Sequence, residues 1–196
     1  MIRLAFLASN NGTSLRAIIA AIEAGELDAT AVLAVSNRKG ALALTFAAES
    51  AIPTKVIATL PDPDIADERL LEALGGAKAD LVILSGYLRR LGPKTLTAFA
   101  NRILNVHPAL LPRHGGTGMY GRRVHEAVLA SGDRVSGASV HLVDGEYDHG
   151  RVIARVEVPV LSGDTAETLE RRVMAAEPEL FVQTLRQIAN GECKLE

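Results

Sequence analysis

The stretch IRLAFLASNNGTSLRAIIAAIEAG, Ile2 to Gly25, sets the fold. Its first part, Ile2 to Ala8, is a nearly continuous apolar run that stops at Ser9, as a parallel strand covered on both faces requires. After the polar segment SNNGTS, Leu15, Ile18, Ile19 and Ile22 recur at helical spacing until Gly25, a suitable helix-ending glycine. Strand, short polar turn and helix in succession make a βα unit. Such a turn aims backbone N–H groups and a helix N-terminus at one point, where a phosphate can sit. Asn11, Gly12, Thr13 and Ser14 are the residues concerned, and an ordinary βα turn with Ser14 or Thr13 as N-cap fits the same string equally well. The dinucleotide fingerprint G-x-G-x-x-G is absent.

The pattern repeats along the chain. Ala29 to Val35 is apolar, Asn37 to Gly40 turn-like, and Ala41 to Ser50 an alanine-rich helix. Thr54 to Ile57 reads as a short strand; Pro61 and Pro63 then break the chain before a helix from about Asp64 to Leu74, closed by Gly75 and Gly76. The buried run after Asp80 reads as a central strand ending at Ser85 and Gly86, and ligands gather at the carboxyl ends of such strands. Ile103 and Leu104 open another strand, and Val124, Val128 and Leu129 mark a helix ending near Gly132. His125, on the apolar side of that helix, reads as structural. Gly137 to Val143 and Val152 to Pro159 form a hairpin with an acidic connection. The last helix opens on Asp164, Thr165 and Glu167, a capping box with Asp164 as N-cap, and buries Leu169, Val173 and Leu180. These elements predict an α/β fold: a doubly wound, mostly parallel, Rossmann-like sheet with an antiparallel C-terminal strand and a final helix, in a single domain over 1–196.

Composition narrows the function classes. With 196 residues, 48% of them hydrophobic, the chain can bury one sizeable core. A net charge of −2 gives no basic surface for nucleic acid and none for a membrane. The one cysteine, Cys193, excludes an internal disulfide and fits a reducing, cytoplasmic setting. No run is long enough to span a bilayer. The five histidines lack metal-ligand spacing, so no metal is expected.

Chemistry points to NVHPALLP, Asn105 to Pro112. Asn105 and His107, two apart at the end of a strand, project to one face. An amide donor and an imidazole together suit stabilisation of an oxyanion and transfer of a proton; a core histidine beside a turn asparagine is the plainer reading. Asn105, His107, Pro108, Leu110, Leu111 and Pro112 match the N-x-H-P-S-L-L-P signature at six of its eight positions, with Ala109 in place of Ser. On these residues the chain resembles the folate-dependent formyltransferases. The turn after the first strand is similar to the S-G-x-G-S-N phosphate loop of the branch acting on glycinamide ribonucleotide, with Asn10 in place of the first Gly.

The resemblance implies transfer of formyl from 10-formyltetrahydrofolate, as cosubstrate, to the amine of 5-phosphoribosylglycinamide in purine synthesis. It assigns Asn105, His107 and Asp148 to catalysis, the last from the string S-V-H-x-V followed by D-x-G; Asp144 is the alternative acidic partner. An opposite charge beside an imidazole favours its protonated form. Asn11, Gly12, Thr13, Ser14, Gly86 and Glu177 fall on the nucleotide substrate, although Pro178 is expected to kink the helix beside Glu177. Leu88, Arg89, Arg90, Leu91, Asn105, Val143 and Asp144 fall on the folate, Leu88 standing where Met is usual; for Arg90 a solvated loop is the alternative. An Arg that helps hold the folate is replaced near Pro63, and a His is replaced at Arg123. The glycine-rich stretch Arg113 to Gly121 is expected to cover the site and to order with ligand. The chain is expected to lack the further tRNA-binding or regulatory domains of other branches and to act as a monomer or homodimer.

Overall fold

The structure, a computed structural model, describes residues 1–195. Seven strands form one sheet: β1 (Ile2–Leu7), β2 (Ala29–Ser36), β3 (Thr54–Val56), β4 (Leu81–Leu84), β5 (Ile103–His107), β6 (Val135–Leu142) and β7 (Val152–Pro159), in the order β3-β2-β1-β4-β5-β6-β7. The first five are parallel; β6 pairs antiparallel with β5, and β7 antiparallel with β6. The chain winds outward from β1 in both directions, so a crevice opens between the carboxyl ends of β1 and β4.

Six helices cover the two faces: α1 (Thr13–Glu23), α2 (Leu42–Glu49), α3 (Pro63–Gly76), α4 (Pro93–Ala98), α5 (Arg122–Ala130) and α6 (Ala166–Ala189). Strand β1 shows why both must be covered. Its Leu4 and Phe6, with Ala8, enter a core with Leu15 and Ile18 of α1 and Val173 and Phe181 of α6. The alternate residues Ala5 and Leu7 enter a second core with Leu70 and Leu74 of α3 and with Phe99. Each fully buried Leu, Ile or Phe stabilises the fold by roughly 1.5–3 kcal/mol, so a polar residue in the buried part of β1, Leu4 to Leu7, is costly. No described helix is long and apolar enough to cross a membrane.

Three local expectations are corrected. Neither Thr13 nor Ser14 caps α1: Gly12 is the N-cap, left-handed at φ 65°, and the Leu15 N–H is taken by Ser85 Oγ at 3.0 Å. A side chain just past the end of the neighbouring strand β4 thus does what a local cap would do. Gly75 and Gly76 belong to α3, and the left-handed residue after it is Lys78. The N-cap of α6 is Thr165, paired reciprocally with Thr168, because Asp164 accepts from Nη1 and Nη2 of Arg172 at 2.7 and 2.8 Å. Helix α6 runs unbroken through Pro178. The carbonyl that loses its partner there belongs to Met174, an exposed residue of the helix.

Helix α4 has no counterpart in the sequence reading, although Gly92 followed by Pro93 is a helix-start signal. It is held by Asp67, buried on α3, whose carboxylate accepts from Lys94 N, Thr95 N and Thr95 Oγ1. Gly92 is obligatory at this turn, since a Cβ there would lie 2.2 Å from Asp67 Cγ.

Candidate active site

Strand alternation places the central residues. Leu104 and Val106 pack into the α1/α6 core, while Ile103 enters the α3/α4 core, so Asn105 and His107 share the face of Ile103. Antiparallel pairing sets His141 opposite Asn105 and Ser139 opposite His107, on that same face. Four polar side chains from two strands therefore meet at the carboxyl end of β5. Ser139 organises the turn that follows: its hydroxyl donates to the Ala109 carbonyl at 2.7 Å and accepts from Leu111 N at 3.0 Å. Ala109, at the position where the signature carries Ser, is fully buried.

His141 is a site residue the sequence reading did not single out. Its Nδ1 donates to the Leu142 carbonyl at 2.8 Å, which leaves Nε2 as the acceptor for Asn105 Nδ2 at 3.1 Å. Burial pushes its pKa down, keeping the ring neutral in this role. Asn105 is thereby held in one orientation with a second amide N–H to give. His107 is 3% exposed. Its Nε2 donates to the His114 carbonyl at 2.8 Å, and its Nδ1 lies 3.4 Å from Asp148 Oδ2, a charge contact longer than a hydrogen bond. Both ring nitrogens face oxygen atoms, Nε2 at hydrogen-bond distance and Nδ1 at the distance of a charge contact.

Asp148 is central to the cluster. One carboxylate oxygen also accepts from Gly116 N at 3.0 Å, and the other lies 3.6 Å from His141 Nε2. Its backbone is left-handed, φ 56°, a conformation Asp tolerates better than most residues. Asp144 instead faces the exposed His149 at 3.4 Å. Of the two acids, Asp148 is the one beside His107. The loop 113–121 is tied at its start, where Arg113 and His114 both bind Asp133, and again at Gly116. The imidazole of His114, with its hydrogen bond, is the leading cause of the Asp133 carboxyl lying below the usual carboxylate range.

Beside this cluster a slot encloses about 100 Å³. Leu84, Leu91, Leu96 and Val143 form its apolar walls, Asn105, His141 and Asp148 its polar end, and Arg89, Arg90, Asp144 and Tyr147 belong to its rim. Arg90 donates to the Gly145 carbonyl at 2.6 Å, so it braces the 144–148 loop. Leu88 does not line the slot; it is 62% exposed, and its N–H binds Ser9 Oγ at 2.9 Å. Gly86, left-handed at φ 68°, accepts from Ser9 N at 3.2 Å and joins the ends of β4 and β1.

On the far side of the crevice, Asn11, Gly12, Thr13 and Ser14 form the turn into α1. A Cβ on Gly12 would sit 2.8 Å from the Ala43 Cβ, so the turn is moulded against α2. Glu177, half-buried on α6, has no hydrogen-bond or ion-pair partner among the described residues, and burial pushes its carboxyl up to about 7. Pro63 is the first residue of α3 after an Asp62 cap, and the Arg123 guanidinium lies 5.3 Å above the Tyr120 ring. His125 is buried, with Nδ1 unpartnered among the described residues. No group of His, Cys, Asp and Glu side chains among the described residues is arranged to hold a metal ion.

Residues 2–185 match the family described as "Formyl transferase". The chain belongs to this family. It is 40% identical over 189 residues to a phosphoribosylglycinamide formyltransferase of Mycobacterium tuberculosis, covering 95% of this chain and 85% of that one. It is 37% identical over 195 residues to a chloroplastic phosphoribosylglycinamide formyltransferase of Arabidopsis thaliana, covering 98% of this chain and 67% of the relative. The crystal structure of glycinamide ribonucleotide transformylase 1 from Symbiobacterium toebii superposes with a TM-score of 0.89 at 36% identity, covering 97% of this chain and 89% of the other. A formyltetrahydrofolate deformylase from Pseudomonas syringae shares the fold, with a TM-score of 0.87 at 24% identity over 97% of this chain and 62% of its own. This formyl transferase therefore has the mostly parallel, doubly wound sheet expected of it, and the fold alone does not separate transfer from hydrolysis.

Proposed function

We propose that this formyl transferase carries the formyl group of 10-formyltetrahydrofolate to the amine of 5-phosphoribosylglycinamide, a step of purine synthesis, as a cytoplasmic enzyme. The observation that carries the reading is the convergence of Asn105, His107 and Asp148 between an apolar slot and a helix-opening turn. The slot suits a planar bicyclic ring: it encloses far less than the roughly 300–1,000 Å³ of a whole drug-sized ligand site, so the rest of the donor lies along the rim. The turn at Asn11 to Ser14 offers free N–H groups to a phosphate, and Glu177 offers a carboxylate to ribose hydroxyls.

Chemically, the amine lone pair attacks the formyl carbon, and a C–N bond forms while the carbonyl oxygen becomes an oxyanion. Asn105 Nδ2 and an N–H of His107 stabilise that charge. The His107 Nε2 proton now given to the His114 carbonyl becomes available once substrate oxygen replaces that carbonyl. Asp148 fixes the ring and balances its positive charge. Collapse of the intermediate breaks the bond to N10 of the donor, and the proton lost by the attacking nitrogen ends on N10. Holding the amine beside His107 through phosphate and ribose contacts supplies the proximity that favours amine over water.

The experiment is to follow loss of formyl from 10-formyltetrahydrofolate with and without the glycinamide substrate and to identify the product. Formylated amine, formed only when the substrate is present, is expected. Equal rates giving free formate in both would replace transfer by hydrolysis.

A further inference from the structure

Asn10 departs from the glycine of the family's phosphate loop, and its side chain has a specific partner. Its backbone is not left-handed; that conformation belongs to Gly12. The Asn10 carbonyl is taken by Ala43 N at 3.0 Å, which fixes the residue against α2. Its side-chain oxygen accepts from Arg38 Nη1 at 2.8 Å. Arg38 stands in the turn after β2, where its N–H binds Ser36 Oγ at 3.1 Å, so two hydrogen bonds place it at the edge of the turn into α1.

The neighbouring cation, Arg16, is already engaged. It donates to the Asn11 and Leu42 carbonyls at 3.1 and 3.4 Å and lies 4.4 Å above the Phe46 ring. Arg38 differs. Its side chain has one neutral acceptor for its several N–H donors and no carboxylate partner among the described residues. An exposed contact of that kind adds little to folding. It does hold a planar guanidinium, suited to bidentate phosphate binding, beside a helix N-terminus whose own N-cap, Gly12, has no side chain to occupy the first N–H groups.

We infer that Arg38, held ready by Asn10, is the cation that closes on the phosphate of the sugar-phosphate substrate. The inference rests on reading the Asn11 to Ser14 turn as the phosphate site. On binding, the guanidinium exchanges a neutral amide for a dianion, and the side chain that replaced glycine acts as its rest position.

Ribose 5-phosphate is the probe, with binding read by protection against thermal unfolding and by competition in turnover. Arg38→Gln keeps a donor for Asn10 but removes the charge, and is expected to weaken ribose 5-phosphate binding about tenfold at low salt, with the gap closing as salt screens it. The KM for the glycinamide substrate rises in step, while kcat and the KM for the formyl donor stay within about twofold. Arg38→Lys restores most of the affinity. Asn10→Gly causes a smaller loss, and none in the Arg38→Gln background, because the two act as one unit. Unchanged ribose 5-phosphate binding in Arg38→Gln, no rescue by Lys, or an equal rise in donor KM would overturn the assignment. Wild-type protein that binds ribose 5-phosphate but formylates no glycinamide substrate removes the proposed reaction and leaves Arg38 standing. Wild-type protein that does not bind it removes both the phosphate turn and Arg38.

Discussion

Replacing Glu177 with Gln should make the ligand-free protein more stable at pH 8 and leave it almost unchanged at pH 5. Burial without a partner pushes this carboxyl from an ordinary 4.5 up to about 7. Between those values the folded state holds a proton that the unfolded state has released, so stability falls as pH rises through the interval and is lowest above it. A displacement of that size corresponds to at most about 3 kcal/mol, at 1.36 kcal/mol per tenfold change in proton affinity; water reaching a half-buried side chain reduces it to roughly 1–2 kcal/mol. Gln fills nearly the same volume and carries no charge. Denaturant unfolding of wild type and Glu177→Gln at pH 5 and pH 8 measures the difference directly, with equal slopes required for the comparison. The expected result is a gap that opens only at pH 8. A gap of the same size at both pH values would show that Glu177 is solvated and that its burial is not what sets its protonation. Saturating ribose 5-phosphate should close the gap by giving the carboxylate hydroxyl donors.

Three further outcomes are expected. His107→Ala should lower kcat by roughly a hundredfold or more, the usual worth of one such donor, with little change in nucleotide affinity; retention of more than about a tenth of the activity would remove His107 from the chemistry. Gly12→Val, which needs a left-handed backbone and a Cβ 2.8 Å from Ala43, should weaken nucleotide binding far more than folate binding in equilibrium titrations. Equal weakening of both would indicate misfolding instead. His141→Phe should cut kcat about tenfold or more while KM values hold, because Asn105 loses the acceptor that orients it; His141→Gln, which keeps an acceptor, should recover part of the loss. A Phe variant with normal kcat would show that Asn105 orients itself.

Periodicity made the architecture legible. The unbroken apolar run of β1 and the helical spacing of Leu15, Ile18 and Ile22 already require a strand covered on both faces. The proximity of Asn105 and His107 follows from alternation along one strand. What stayed hidden depends on register between distant segments. His141 reads as one more member of an alternating strand until its pairing with Asn105 is known, 36 positions away. The α1 cap is hidden for the same reason, since Ser85 supplies it from just beyond the end of β4. Asp164 carries the local signature of an N-cap, and only the folded chain shows Arg172 claiming both its oxygens. Leu88 could not be placed from its string, because the turn at Gly86 directs its N–H to Ser9 and its side chain to solvent.

The pairing of Asn105 with His141 also bears on when the enzyme becomes competent during its synthesis. Strands β1 to β5 run in parallel and can join the sheet as each βα unit leaves the ribosome. At that stage Asn105 and His107 stand on an open edge with no acceptor for the amide and no carboxylate near the ring. Only when β6 closes that edge, and the residues after it bring Asp148 back across the face, does the constellation exist. A nascent chain that stalls before that point carries all five parallel strands, without the α6 side of their core and without the assembled cluster. If that constellation carries the reaction, turnover reports that β6 and the residues up to Asp148 have closed on β5.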